Sequence, residues 1–344
     1  MALPASGQIT ANQISDEFGR NSGSQMSLGG YRLTQSVGTL SFNGIDSGVP
    51  TSGEIKFSDF YSKRLNVVVD FHTGGQESRQ NAKSRYNNNS VTVIGGFRGK
   101  KEAGSKILIH VNKTIGSEKG DQNRVALRTG SWDSDVALSV DVGSSGRLYG
   151  AGGDGGEGSD SFSDAGSNAA TSGGNGTSAL GIEHEETAVN IQSGGRIRCG
   201  FGGGGGGSGA RQVDSGADRS ACGGGGGGGA GLPAGNGGDR GRRRSGNEDE
   251  VTTGNDGSAG QLEENGEGGS GGNNADEAFG GSGGRGGDPQ ESPQGGSNGS
   301  PGDGSPAGGA GANGSAIRRS NGNIVVDITN AGDLTGDTSA TGVA

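Results

Sequence analysis

Between Gly150 and Ser320 this chain carries 58 of its 82 glycines, and the most regular stretch reads Gly280-Gly281-Ser282, Gly283-Gly284-Arg285, Gly286-Gly287-Asp288. That is a period of three, which fits neither the roughly 3.6-residue turn of an α-helix nor the two-residue repeat of a pleated strand. It matches the left-handed threefold helix of polyproline II, which rises about 3.1 Å per residue and points its amides and carbonyls outward. Where most positions lack a side chain, neighbouring helices approach closely enough to bond backbone to backbone, and positions inside such a bundle must be glycine. The tracts Gly202 to Gly207 and Gly223 to Gly229 suit the most enclosed helices, and Gly280 to Asp288 suits an outer layer with one residue in three facing water. Collagen is a poor match, since it needs strict Gly-X-Y with abundant proline and this chain has 7 prolines. Disorder is the competing reading of such a composition. The similar lengths of the tracts and the strand-like units between them favour order.

Only 26% of the residues are hydrophobic and 4% aromatic, too few for an ordinary core throughout. The apolar residues concentrate in the first 150 positions. No secretory leader pattern precedes the start and no apolar run approaches a membrane span, so a soluble chain without membrane insertion is expected. Cys199 and Cys222 each border a glycine tract. They could pair if those tracts run side by side, or stay free thiols after assembly in a reducing cytoplasm. Without ligand partners they make no zinc site.

Three segments follow: 1–64, 65–149 and 150–344. The first holds an internal echo, in which Ser6-Gly7-Gln8-Ile9 with Asn12 and Ile14 is answered by Ser52-Gly53-Glu54-Ile55 with Ser58 and Phe60. Asn12 and Ser58 read as helix N-caps, each followed by acidic residues in the first turn. Ile9, Ile14, Phe18, Ile55, Phe57, Phe60 and Tyr61 supply apolar side chains to units too small to stand alone. They either pack on each other or clip onto a partner, and the second is favoured.

From Arg64 to Tyr149 apolar residues fall at alternate positions, as in Val67, Val69 and Phe71 or Ile107, Ile109 and Val111, which argues for a small β-sandwich with Trp132 packed in it as a lone structural aromatic. Val140-Asp141-Val142 with Gly146 and Leu148 aligns with Val189-Asn190-Ile191, Gly195 and Ile197, and with Val326-Asp327-Ile328, Gly332 and Leu334. Each copy reads as strand, turn, short strand, and the first two run straight into glycine tracts. These are read as staples that pin the tracts and fix their register. The expected fold class is mostly β and irregular: a small N-terminal α/β segment, a β-sandwich-like module, then a bundle of polyglycine-II-type helices.

Catalysis finds little support. His72, His110 and His184 sit in unrelated contexts, and Gly181-Ile182-Glu183-His184-Glu185-Glu186 lacks the second histidine of a metalloprotease helix. The glycine-loop patterns of nucleotide binding follow no convincing strand, so no cofactor or metal is expected. The basic knot Arg240, Arg242, Arg243 and Arg244 raises glycine-rich RNA binding as one alternative. Glu248, Asp249 and Glu250 follow it at once, and a net charge of −10 opposes a phosphate backbone.

This combination resembles glycine-rich bacteriophage tail-fibre adhesins of the kind found at fibre tips. The resemblance rests on two groups of residues. Ser6-Gly7-Gln8-Ile9 to Phe18-Gly19, Met26-Ser27-Leu28, Val49-Pro50-Thr51-Ser52-Gly53-Glu54-Ile55 and Phe57-Ser58-Asp59-Phe60-Tyr61 are similar to an amino-terminal segment shared by phage fibre and baseplate-associated proteins. Gly146-Arg147-Leu148-Tyr149-Gly150 and Gly195-Arg196-Ile197-Arg198-Cys199-Gly200, leading into glycine runs, are similar to glycine-rich adhesin domains. The resemblance implies synthesis in the host cytoplasm and a place in the virion tail fibre. It implies contact with other tail or baseplate proteins through residues 1–64, with a homotrimer compatible with threefold fibre anchors. It further implies recognition of a host outer-surface receptor, lipopolysaccharide or an outer-membrane protein, without turnover. Polar excursions at 161–172, 211–221, 239–265, 273–279 and 288–294 separate the tracts, and the candidate receptor contacts are Arg211, Asp214, Arg219, Asp239, Arg242, Arg243, Arg244 and Glu248 in the charged excursions 211–221 and 239–265. A structural baseplate protein without receptor contact is the other alternative.

Overall fold

The computed structural model describes residues 3–18, 27–32, 34–37, 40–71, 76–88, 92–93, 104–160, 169–214, 217–242, 250–274, 277–301 and 306–344. Its framework is a coil of parallel strands with three faces. The first face stacks Asn66–Phe71, Lys106–Val111, Ala137–Val142, Glu186–Ile191 and Val325–Asn330; the second stacks Glu77–Ser78, Thr114–Gly116, Arg147–Tyr149, Arg196–Arg198 and Asp333–Thr335. The third stacks Gln80–Asn81, Val125–Arg128, Ser178–Ile182, Ile317–Arg319 and Ala340–Thr341. The chain visits the faces in turn and climbs one rung per circuit, five rungs in all among the described residues.

Alternation explains the core. Val69, Ile109, Val140, Val189 and Ile328 occupy one register position, and the first four are at most 1% exposed. Each buried valine or isoleucine contributes about 1.5–3 kcal/mol by leaving water. The β-sandwich expected for residues 65–149 is corrected here. An apolar residue at every second position suits parallel and antiparallel strands alike, and here each strand pairs in parallel with its counterpart one circuit later. Trp132 is structural as expected, though it has an aromatic companion: its ring lies 5.2 Å from Tyr86 and its Nε1 donates to the Thr129 carbonyl at 2.9 Å.

The aligned strand-turn-strand copies are successive rungs, with one slip. Val189 pairs with Ile328 and not with Val326, because the corner between Asn330 and Asp333 is two residues shorter than its counterpart. A two-residue slip keeps the same side chains facing inward, so the hydrophobic pattern does not report it.

The glycine tracts enter at one corner. The chain leaves the second face after Tyr149 and rejoins the third at Ser178, then leaves after Arg198 and rejoins at Ile317. Between these points the tracts run alternately out and back. Gly153, Gly156 and Ser159 donate to Phe201, Gly204 and Gly207, and these three donate in turn to Ala230, Gly227 and Gly224. Gly200, Gly203 and Gly206 donate to a different neighbour, at Thr177, Gly174 and Thr171. Every third amide therefore reaches the same neighbour. Residues 202–207 and 223–229 are buried throughout, while Ser282 in the outer stretch 280–288 is exposed.

Candidate binding surface

The ends of the tracts sort the connections into two groups. At the coil, Leu232 donates to the Gly150 carbonyl at 2.8 Å and accepts from the Ser117 amide at 3.0 Å. Gln261 donates to Glu264 at 2.7 Å, and Asp288 to Glu291 at 2.9 Å, closing two more turns on that side. Glu263 sits there among Arg196, Arg198 and Tyr149: Arg198 Nη1 is 3.2 Å away, the Tyr149 hydroxyl donates at 3.2 Å, and Arg196 pairs closely. Burial raises the Tyr149 phenol above its ordinary value. Arg198 also donates through Nε to Asp333 at 2.8 Å. Burial works to raise the Asp333 carboxyl, but hydrogen bonds from Arg198 and Thr335 carry it below the usual range.

One expected excursion is placed by this arrangement and another is corrected. Residues 288–294 turn at the coil, away from the far end. The stretch 239–265 is no single loop: residues 253–260 form another tract, in which Asn255 and Ser258 accept from Gly225 and Gly228, and 261–264 turn at the coil. The serines, asparagines and charged residues mixed into that tract hid it, since outer positions tolerate side chains.

At the far end a small β cluster gathers. Ala210–Asp214 pairs antiparallel with Ala217–Ala221, which pairs in parallel with Glu250–Thr252. The hairpin of Asn273–Asn274 and Ala278–Phe279 lies beside them, and Phe279 exchanges two backbone bonds of 2.8 Å with Ser300. Ala210, Ala221 and Ala278 pack together underneath, small enough to let the strands approach.

Of the candidate contacts, Arg211 and Arg219 meet here. Arg211 holds Asp218 with two bonds of 2.9 and 2.6 Å, and this contact lowers the Asp218 carboxyl below its ordinary range. Arg219 pairs with Glu277. Asp214 ends the first strand. Asp239 and Arg242 stand at the end of a neighbouring tract, 3.9 Å apart and both largely exposed, with the Arg242 amide donating to Asp160 at 2.7 Å. Arg243, Arg244 and Glu248 lie outside the described residues. Two exposed apolar side chains escaped the sequence reading, Val213 at 65% and Phe279 at 39%. Val213 is the lone apolar residue among charged ones in Arg211-Gln212-Val213-Asp214, and Phe279 immediately precedes a glycine tract; their isolation was the available signal. Among the described residues the surface thus offers mutually paired charges around apolar contact area.

The amino-terminal candidates lie elsewhere. Ile14, Phe18 and Phe60 are fully buried, with Phe18 and Phe60 ring centroids 6.3 Å apart and both packed on Tyr31. The two echoed units therefore pack on each other within the chain, the reading that had not been favoured. Glu17 joins them by accepting from the Leu65 amide at 3.2 Å. Ile9 and Ile55 are half-buried against the same core, the Tyr61 hydroxyl donates to the Gly7 carbonyl, and Phe57 is 41% exposed. The caps are Thr10 and Lys56, two residues earlier than expected in each unit, because the extended backbone turns helical there. Of the histidines, His110 bonds Asp141 at 3.1 Å and His184 bonds the Val136 carbonyl at 3.0 Å, both buried; His72 lies outside the described residues.

A rigid parallel coil with backbone-bonded tracts mounted on one corner, whose far ends gather loops, is a scaffold for presenting a contact surface. Residues 62–339 match the family described as phage tail fibre adhesin Gp38, and the chain belongs to that family of virion attachment proteins. No curated protein and no solved structure matches it. The match leaves residues 1–61 outside.

Proposed function

We propose that this adhesin attaches to the tail fibre through residues 1–64 and meets a bacterial outer-surface receptor with the β cluster at the far end of its tracts. The tracts act as polyglycine-II-type helices whose mutual bonding holds the loops rigid; the three-residue period of their amide bonds supports this reading. The chain's departure from the coil after Tyr149 into the first tract supports a division at 149/150. Phe57 is the candidate virion contact, as an exposed apolar side chain among the described residues of that segment. The observation that carries the receptor assignment is the gathering of Arg211, Arg219, Val213 and Phe279 on one end, remote from the coil. Arg211 and Arg219 sit half-buried against Asp218 and Glu277, and a guanidinium that pairs with a carboxylate in this way also suits a receptor's carboxylate or phosphate. Many copies on one particle add weak contacts through avidity.

The test replaces residues 210–221 with a short glycine-serine turn in the phage. Adsorption is expected to fall at least tenfold on a susceptible host while particles assemble normally; unchanged adsorption defeats the reading and favours a structural role. Hosts with truncated lipopolysaccharide and hosts lacking single outer-membrane proteins then separate the two receptor classes.

A further inference from the structure

The two ends of the parallel coil are finished differently. At the first rung, the described residues before Asn66 pack over the stack, with Ile14, Phe18, Phe60 and Leu65 fully buried, and Thr92–Val93 pairs antiparallel along the edge of Asn66–Phe71. At the fifth rung, Val325–Asn330, Asp333–Thr335 and Ala340–Thr341 are each the last strand of their sheet among the described residues.

Three observations describe this open end. The first is the backbone. Alternate residues of a parallel strand bond to the same neighbour. Val325 and Ala331 donate to Glu185 and Ile191, so the amides of Val326, Ile328 and Asn330 face away from the stack. The second is the core. Val189, Ile191 and Ile197 in the fourth rung are at most 1% exposed, whereas Val326, Ile328 and Leu334 above them are only partly covered and Val325 is 55% exposed. The third is charge. Along the first face, residues 185–191 and 325–330 hold the exposed Glu185, Glu186 and Asp327 and no lysine or arginine, while Asp333 on the second face is already paired with Arg198.

An unpaired strand edge over half-covered apolar residues is a template for another strand. We propose that the fifth rung is a strand-addition site for an extended, basic segment of another polypeptide. That segment places an apolar residue at every second position over Val326 and Ile328, and lysine or arginine between them against Asp327 and Glu186. Charge selects this occupant over a second copy of the chain, which would bring the same carboxylates to a shared edge.

The experiment uses the full chain and a short synthetic peptide alternating valine with lysine, followed by hydrogen exchange at low salt. Exchange at Val326, Ile328 and Asn330 is expected to slow at least tenfold, with the effect shrinking in high salt as screening sets in. Ile328→Pro removes an outward amide that the coil does not use and is expected to abolish protection, with some lowering of the thermal midpoint from the lost half-buried side chain. Should that variant unfold, Asp327→Lys supplies the same test through charge alone. Equal protection by a peptide with glutamate in place of lysine, absence of protection, or a concentration-dependent dimer protecting these amides without peptide would each overturn the proposal.

Discussion

Gly226 stands where a β-carbon would come within 2.1 Å of the Gly204 carbonyl oxygen. The atom it would strike is backbone, already fixed by a neighbouring tract, so nothing nearby can swing aside. Gly226→Ala is therefore expected to destabilise the chain by about 3 kcal/mol or more, as overpacking in a rigid interior does. Gly309 is the control, since a β-carbon there meets only the Ser172 hydroxyl at 3.6 Å. Gly309→Ala is expected to be neutral or to stabilise by about 0.4–1 kcal/mol through the unfolded chain's lost freedom. Denaturant midpoints of both variants check the contrast.

Val213 and Phe279 present apolar surface at the far end without belonging to a core. Replacing both with serine removes contact area from the receptor face and leaves Ala210, Ala221 and Ala278 packed beneath. The double variant is expected to lose adsorption at least tenfold with its thermal midpoint within about 2 °C of the parent, matching a surface change of roughly 0.5 kcal/mol or less. A large drop in midpoint would instead make the two residues structural.

How much of this was legible in the sequence depends on what each pattern encodes. The period of three in Gly280 to Asp288 announced neighbours bonded at every third amide, because glycine is demanded wherever backbone meets backbone. The rungs at Val140, Val189 and Val326 were visible as copies, yet their parallel pairing was not, since alternation records which side chains face inward and nothing about strand direction. The slip that seats Ile328 on Val189 was hidden for the same reason. Phe18 and Phe60 were recognised as side chains needing burial, but sequence spacing does not say whether the burying surface is the chain itself or a partner. The far-end cluster was half legible. Arg211 and Arg219 stood out by charge, while which tract ends lie together follows from the count of tracts, and residues 253–260 went uncounted.

Asp141 gives the framework an acid limit. Its carboxylate accepts from Asn190 at 2.6 Å and from Gln192 at 2.9 Å, and bonds His110 at 3.1 Å. Burial works to raise its pKa, but these bonds prevail and hold it below the ordinary 3.8. A carboxylate lowered in the folded state stabilises at pH above its unfolded value, and that contribution is lost as pH falls through the folded one. Asp218 and Asp333 are lowered as well and add in the same direction. Stability from this source is expected to be complete above about pH 5 and to decline below about pH 4. Asp141→Asn is expected to be less stable at pH 7 and to lose less on acidification, so that its urea midpoint approaches the parent's near pH 3. Parallel curves for the two proteins would remove Asp141 from the account.

Cys199 and Cys222 are both buried thiols, not joined in a disulfide, and they stand at opposite ends of the tracts. Cys199 follows the coil strand Arg196–Arg198, whereas the Cys222 amide donates to Thr252 at the far end. A tract length at about 3.1 Å per residue separates them by about 25 Å, several times the roughly 4.4–6.8 Å between α-carbons that a disulfide spans. Oxidation therefore cannot join them within the folded chain. Burial also pushes the Cys199 thiol up to about 12, which leaves almost no thiolate at neutral pH to attack a reagent. Neither cysteine is expected to react with an aromatic disulfide reagent at pH 8 until denaturant unfolds the chain, whereupon both react. The thermal midpoint is expected to be the same with and without reductant. Rapid labelling of the native protein would show that the tracts open around these positions, and with that the rigidity on which loop presentation depends would be gone.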